Sequence, residues 1–333
     1  METLRLKPDN EGLQKAGDII REGGLVAFPT ETVYGLGANA LDGEAVRSVY
    51  TAKGRPSDNP MIVHISTFDE IYELASVING TAEALIKEFW PGPITFVLPK
   101  KDNVPDVTTG GLGTVAVRMP SNETARALIE SAKRPIAAPS ANRSGKPSPT
   151  NAYDVLEDMD GIIDAVIMGE DCNVGIESTV VDVTSEIPVI LRPGYVTPDM
   201  IMERTGIKAV YDSSLAEKHI EDLDPSKGSG EIDGFKPKSP GMKYKHYAPN
   251  AKVILVEGDI DKIKEEYEMK GSKVGVLDYG GDSRFAAYSF FSDLRRLDRE
   301  EAEIILVRTL EKEGLGFSIM NRMLKSAGYE VIK

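Results

Sequence analysis

Leu25-Val26-Ala27-Phe28-Pro29-Thr30-Glu31-Thr32-Val33-Tyr34-Gly35-Leu36-Gly37 runs from a short apolar segment straight into a loop of hydroxyls, one carboxylate and two glycines. A Gly23-Gly24 break precedes the apolar run, so Leu25 to Phe28 reads as a buried strand and Pro29 to Gly37 as the loop beyond it. Three further stretches repeat the pattern: Lys53-Gly54-Arg55-Pro56, Ser140-Ala141-Asn142-Arg143-Ser144-Gly145-Lys146 and Leu191-Arg192-Pro193-Gly194. Each brings cations, hydroxyls or glycines to a loop, as an anionic, phosphate-bearing ligand requires.

Outward from these loops the chain alternates short apolar or β-branched runs with helical segments. Strands are expected at Met61 to Ile65, Ile94 to Pro99, Thr114 to Arg118, Pro135 to Ala138, Ala165 to Met168, Thr179 to Val183 and Val189 to Leu191. Helices are expected over Gly43 to Ala52, Asp69 to Ala75, Ala82 to Phe89, Glu123 to Ser131 capped by Ser121, and Asn151 to Met159 capped by Thr150. Asp222 to Pro240 has linker composition: prolines, glycines and alternating charges with almost no apolar residues. Beyond it, Lys252 to Val256, Lys273 to Leu277 and Ala302 to Val307 read as strands. Ile260 to Met269 and Phe317 to Ala327 read as helices, and Phe285 to Phe290 as a strand or helix edge. The pattern predicts an α/β protein: a mixed sheet with helices over residues 1–206, a linker over 207–250, and a small, largely parallel α/β unit over 251–333.

The chain has 333 residues, 41% of them apolar, enough for two sizeable cores. No run approaches the roughly 18 apolar residues needed to span a bilayer, and the amino terminus lacks signal-peptide character, so a cytoplasmic location is expected. A single cysteine, Cys172, excludes an internal disulfide and a multi-cysteine zinc cluster and reads as a buried, inert thiol. The net charge is −14, and residues 1–205 carry 18 lysines and arginines against 30 acids. That balance opposes broad, salt-driven nucleic-acid binding. Common nucleotide signatures fail: Gly145-Lys146 is followed by Pro147, which rules out a P-loop, and Ala40 stands where a dinucleotide fingerprint after Gly35-Leu36-Gly37 needs its third glycine.

In this order, PTETVYGLGANA, KGRPSDNPMIVHI, WPGPITFVL, VAVRMPSN, PIAAPSANRSGKPSPT, ESTVVDV and ILRPG resemble the YrdC/Sua5 family of threonylcarbamoyladenylate synthases. SPGMKYKHYAP and the closing EGLGFSIMNRMLKSAG resemble the extra carboxy-terminal domain of the Sua5 type. The resemblance implies a YrdC-like twisted mixed sheet and a small Rossmann-like second domain. It implies synthesis of L-threonylcarbamoyladenylate from L-threonine, bicarbonate and ATP with release of pyrophosphate, the first step toward N6-threonylcarbamoyladenosine at tRNA position 37. A separate threonylcarbamoyl-transferring complex would then act on tRNA, with no stable nucleic-acid contact by this chain. Magnesium would arrive with ATP, no tightly bound prosthetic group is implied, and a monomer is the simplest reading.

Carried over by motif, the K-x-R and S-x-N tetrad is Lys53, Arg55, Ser140 and Asn142, expected to be catalytic. Threonine would meet Thr32, His64, Arg118, Ala138 and Ser178. ATP would meet Arg55, Asn59, Thr114, Ser140, Asn142, Ser148 and Arg192, with Tyr247 as a lid contact from the linker. Taken one at a time, the residues also fit plainer roles: Lys53 and Arg55 as surface charges, His64 as a core histidine, Thr32 and Ser178 as turn hydroxyls, Arg118 as half of an ion pair. An RNA-binding module without adenylation, or a carbamoyltransferase of hydrogenase maturation, are the rival functions. The acid balance disfavours the first, and a single cysteine disfavours the second.

Overall fold

The computed structural model describes residues 2–216 and 247–333. Among the described residues there are two sheets. The larger has eleven strands in the spatial order Leu4–Leu6, Ala165–Ile167, Val26–Phe28, Gly35–Asn39, Ile136–Ala137, Ile62–His64, Thr114–Arg118, Ile94–Pro99, Thr179–Asp182, Val189–Arg192, Val210–Tyr211. Its pairings are mixed, some parallel, as in Ile62–His64 with Thr114–Arg118, and some antiparallel, as in Ile94–Pro99 with Thr114–Arg118. The mixed α/β architecture is as expected. Its inner strands, such as Ile94–Pro99 and Thr114–Arg118, are buried on both faces, so they read as continuous apolar runs.

The second sheet is wholly parallel, in the order Val274–Leu277, Ile304–Arg308, Lys252–Val256, Val331–Ile332. Helices Ile260–Met269, Ser283–Arg299 and Gly314–Ser326 connect its strands. The linker composition at Asp222 to Pro240 and most of SPGMKYKHYAP lie outside the described residues; Tyr247, Ala248 and Pro249 lie within them.

Several local expectations need correction. Asn122, not Ser121, caps Glu123–Ala132 by accepting from the Ala125 amide, and Asn151, not Thr150, caps Ala152–Met159 by accepting from Asp154. In both places the cap is the residue whose extended backbone directly precedes the first helical turn. Phe285 to Phe290 lies inside the 17-residue helix Ser283–Arg299. Its aromatic richness suggests a strand, but Ala286, Ala287, Phe290, Phe291, Leu294 and Leu297 are buried at helical spacing and fill the second core. Gly35 to Gly37 is not loop either. These residues open a strand antiparallel to Val26–Phe28, and the glycines serve packing: a Cβ at Gly37 would lie 2.7 Å from Ile136 Cγ2 and 2.9 Å from Phe28 Cε1.

The two units share buried contacts. Val33 and Ile176, from the first, sit in one apolar cluster with Tyr247, Val253 and Phe291. Arg295 donates to the Pro147 carbonyl at 2.6 Å and pairs with Asp158 at 2.8 Å, both side chains buried. Asp158 also accepts from the Arg143 amide and faces Lys146 at 3.4 Å, so it ties the 143–147 loop to the second unit.

The close approach at Gly37 sets a stability test. Gly37→Ala is expected to destabilise the protein by about 1–3 kcal/mol, because Ile136 and Phe28 have no room to retreat. Urea unfolding measures it, and an unchanged midpoint would contradict this packing.

Candidate active site

Strand register decides which side chains meet. Ile62–His64 runs parallel to Thr114–Arg118 with His64 opposite Arg118. Thr114–Arg118 is antiparallel to Ile94–Pro99 with Phe96 opposite Val117, so Arg118 lies beside the start of that strand at Thr95. Ile94 pairs with Thr179 in parallel, and Val180 pairs with Arg192 antiparallel. His64, Arg118, Thr95, Ser178 and Arg192 thereby reach the same edge of the sheet.

At that edge is an open cavity enclosing about 600 Å³ of space, the solvent at its opening included. The sequence-predicted residues Thr32, Arg55, His64, Arg118, Ala138, Ser140, Ser178, Arg192 and Tyr247 all line it. Arg118 donates to Thr32 Oγ1 at 2.9 Å, and Thr32 Oγ1 lies 2.9 Å from Thr30 Oγ1. Ser178 Oγ lies 2.8 Å from Thr95 Oγ1 and accepts from Arg192 Nη2 at 3.1 Å, while Arg192 Nε donates to the Ser178 carbonyl. Arg55 follows the left-handed cap Gly54, φ 62°, that turns the chain out of Gly43–Lys53. It donates to the Asn59 and Pro60 carbonyls.

Five predicted residues stand back from the lining. Lys53 is buried, with Nζ donating to the Ser140 and Asn142 carbonyls, so it braces the S-x-N loop from behind. The Asn142 amide donates to the Arg143 and Lys146 carbonyls. Asn59 is buried beneath Arg55, its Oδ1 without a hydrogen-bond partner. Ser148 donates to Glu177 Oε1 at 2.7 Å. Thr114 begins the strand that Arg118 ends, about 13 Å away at strand rise.

Three further residues escape sequence reasoning. Glu31 pairs with Arg118 at 2.8 Å, both nearly inaccessible. Glu177 lines the cavity beside Ser178 and accepts from Ser148 and Arg322. Arg322 comes from the second unit and is fully buried. For Glu31 and Glu177 a signal existed, since a carboxylate inside an anion-binding loop demands a cation. Arg322 gives none, because its partner is 145 residues away.

Burial and neighbouring cations tune these groups. Burial, then the Arg118 charge, lowers His64 to about 3, so the imidazole is neutral. Burial lowers Arg192 to about 10, opposed by Glu177. Burial alone would raise Glu177, but Arg322, Arg192 and the Ser148 hydroxyl outweigh it and keep the carboxyl below its ordinary range. Burial first, then the Glu177 charge, raises the Tyr247 phenol, and a hydrogen bond to Glu177 adds to the rise. Lys53 is lowered by burial and then by Arg55. Cys172 is buried, and burial pushes its thiol up. Among the described residues no group of three or more His, Cys, Asp or Glu could hold a metal ion, and no helix is long and apolar enough to cross a membrane.

Known proteins resemble this chain in sequence and fold. Residues 18–194 match the Sua5/YciO/YrdC family model, described as telomere recombination, and residues 202–328 match the threonylcarbamoyl-AMP synthase C-terminal domain. A threonylcarbamoyl-AMP synthase of Pyrococcus abyssi is 48% identical over 96% of this chain and 94% of its own length. One from Bacillus subtilis is 41% identical over 99% of this chain and 97% of its own. The crystal structure of P. abyssi Sua5 complexed with L-threonine superposes with a TM-score of 0.87 at 46% identity, covering 100% of this chain and 98% of that one.

The neutral imidazole has a stability consequence. Below pH 6.5 the unfolded chain protonates His64, whereas the folded chain does so only near pH 3. The stability tied to this group is complete above that window and declines as pH falls through it, by about 1.4 kcal/mol per pH unit. Urea unfolding at pH 7.5 and pH 5 should show wild type losing more stability than His64→Gln. Equal losses would contradict a neutral buried imidazole.

Proposed function

We infer the reaction from a plain premise: the chain belongs to the Sua5/YrdC family of threonylcarbamoyl-AMP synthases. It is an enzyme that makes L-threonylcarbamoyl-AMP from L-threonine and ATP, the first step of N6-threonylcarbamoyladenosine formation in tRNA. The observation that carries this reading is the convergence of Thr32, Arg55, His64, Arg118, Ser140, Ser178 and Arg192 on one cavity.

In the proposed chemistry the threonine amine combines with bicarbonate to form a carbamate and water. A carbamate oxygen then attacks the α-phosphorus of ATP and pyrophosphate leaves. The substrate supplies the nucleophile, so the protein's task is to hold mutually repelling anions together. Arg55 and Arg192 offer planar donors to the phosphates, with the Ser140 hydroxyl beside them. Thr32, His64, Arg118, Ser178 and the Ala138 backbone would form the threonine side. A neutral His64 accepts a hydrogen bond there without adding positive charge beside Arg118. Glu31 already balances Arg118, so the guanidinium would share its charge between Glu31 and the substrate carboxylate. Lys53, Asn142, Asn59 and Ser148 would act from behind the lining. For Thr114 a nucleotide contact requires the ligand to extend along its strand.

Magnesium would arrive with ATP as part of the substrate and neutralise part of the phosphate charge. Glu177, the carboxylate of the cavity wall, is held by Ser148 and Arg322. The proposed division is a catalytic unit over 1–206, a linker over 207–250 and a second unit over 251–333. Tyr247 lies at the cavity, and the adjoining Ala248 amide donates to the Gly145 carbonyl at 2.8 Å. These two contacts support a lid role for the end of the linker. We propose a cytoplasmic monomer that passes its product to a separate tRNA-modifying complex. The acid balance supports this over RNA binding.

The test is pyrophosphate release with ATP, bicarbonate and threonine, each omitted in turn. Release should require all three, and Arg55→Ala should reduce kcat/KM roughly a hundredfold or more while folding normally. Release independent of threonine, or an unaffected Arg55→Ala, would overturn the reading.

A further inference from the structure

Helix Gly314–Ser326 of the second unit reaches the wall of the cavity with two side chains one turn apart. Ser318 Oγ donates to the Gly194 carbonyl at 2.8 Å. Arg322, with no exposed surface, donates through Nη1 to the Pro193 carbonyl and through Nε to Glu177 Oε2 at 3.2 Å. The turn they hold follows directly on Arg192. Gly194 is pressed against the backbone of Ser178 and Thr179, where a Cβ would come within 2.4 Å of the Thr179 nitrogen. The other oxygen of Glu177 accepts from Ser148. One carboxylate therefore joins the second unit to Ser148 and stands in the cavity wall with Arg192 and Tyr247.

We propose that Arg322 is a positioning residue for the nucleotide side of the cavity: through Glu177 and the Pro193-Gly194 turn it sets where Ser148, Arg192 and Tyr247 stand. This deepens, and rests on, the reading of the cavity as an ATP and threonine site. On the threonine side only Ser178 adjoins what Arg322 holds: its Oγ bonds Thr95 as well as Arg192, whereas Thr32 is held by Arg118 and Thr30. A residue that only docked the two units would disturb both substrates alike, whereas a residue that sets the nucleotide wall separates them. Lysine at 322 would keep the charge near Glu177 but could not make both the Glu177 and Pro193 bonds with a planar fork.

Substrate dependence of pyrophosphate release tests this in wild type, Arg322→Lys, Arg322→Met and the double variant Arg322→Met/Glu177→Gln. The double variant removes both charges of the pair together, so no buried Glu177 carboxylate is left without its guanidinium, and it guards against simple misfolding. Arg299→Ala removes a half-exposed guanidinium that pairs with Asp154 and Glu157 across the units, and it serves as the docking control. Arg322→Met and the double variant should raise the ATP KM about tenfold or more with the threonine KM within about twofold of wild type. Arg322→Lys should fall between, and Arg299→Ala should match wild type. A wild-type ATP KM in the double variant, or equal rises for ATP and threonine, would overturn the positioning role alone. Wild-type protein that turns over neither substrate would overturn the reading of the cavity and the positioning role with it.

Discussion

Charge taken out of water must meet opposite charge, and this constraint governs how the cavity is built. Arg118 with Glu31, Arg295 with Asp158 and Arg322 with Glu177 are three pairs whose side chains are almost wholly inaccessible. Breaking such a pair by removing one partner typically costs several kcal/mol, because the remaining charge stays buried. Each pair also fixes a loop: Glu31 lies in the loop after Val26–Phe28, Asp158 holds the 143–147 segment, and Glu177 precedes Ser178. The walls of the cavity are thereby preorganised before any anion enters, which is where the largest electrostatic gain in catalysis arises.

Two of those three pairs cross between the units. The second unit supplies Arg295 and Arg322, and its apolar cluster takes in Val33 and Ile176 from the segments that flank Thr32 and Ser178. It therefore contributes to the cavity through the backs of its loops, while Tyr247 contributes to the lining itself. This explains why a sheet edge with so many charged and hydroxyl groups holds a defined shape.

Much of this was legible in the sequence where the signal is local. Ile94–Pro99, Thr114–Arg118 and Lys252–Val256 are continuous apolar runs between turn residues, and the structure begins and ends them where the pattern does. Helix caps were one residue off, Ser121 for Asn122 and Thr150 for Asn151, because two neighbouring polar residues can each accept from the first turn and only backbone geometry selects between them. Ser283–Arg299 was obscured by aromatic residues that favour strands until a core gives them helical neighbours. Gly35–Asn39 was obscured because its glycines answer to Phe28 and Ile136, contacts no local window contains. The family motifs marked the lining residues, yet not that Lys53 faces the Ser140 and Asn142 carbonyls, nor that Glu31 and Arg322 exist as partners. Pairings across 86 to 145 residues leave no periodic trace.

The central claim is that these strand ends form one chamber in which threonine and ATP lie side by side. A crystal structure with L-threonine and a non-hydrolysable ATP analogue present together measures this most directly. The expected result places the threonine carboxylate toward Arg118 and Thr32, the phosphates toward Arg55 and Arg192, and the amine facing the α-phosphorus within the same cavity. Ligands bound on separate surfaces, or an analogue bound with its phosphates away from Arg55 and Arg192, would contradict it.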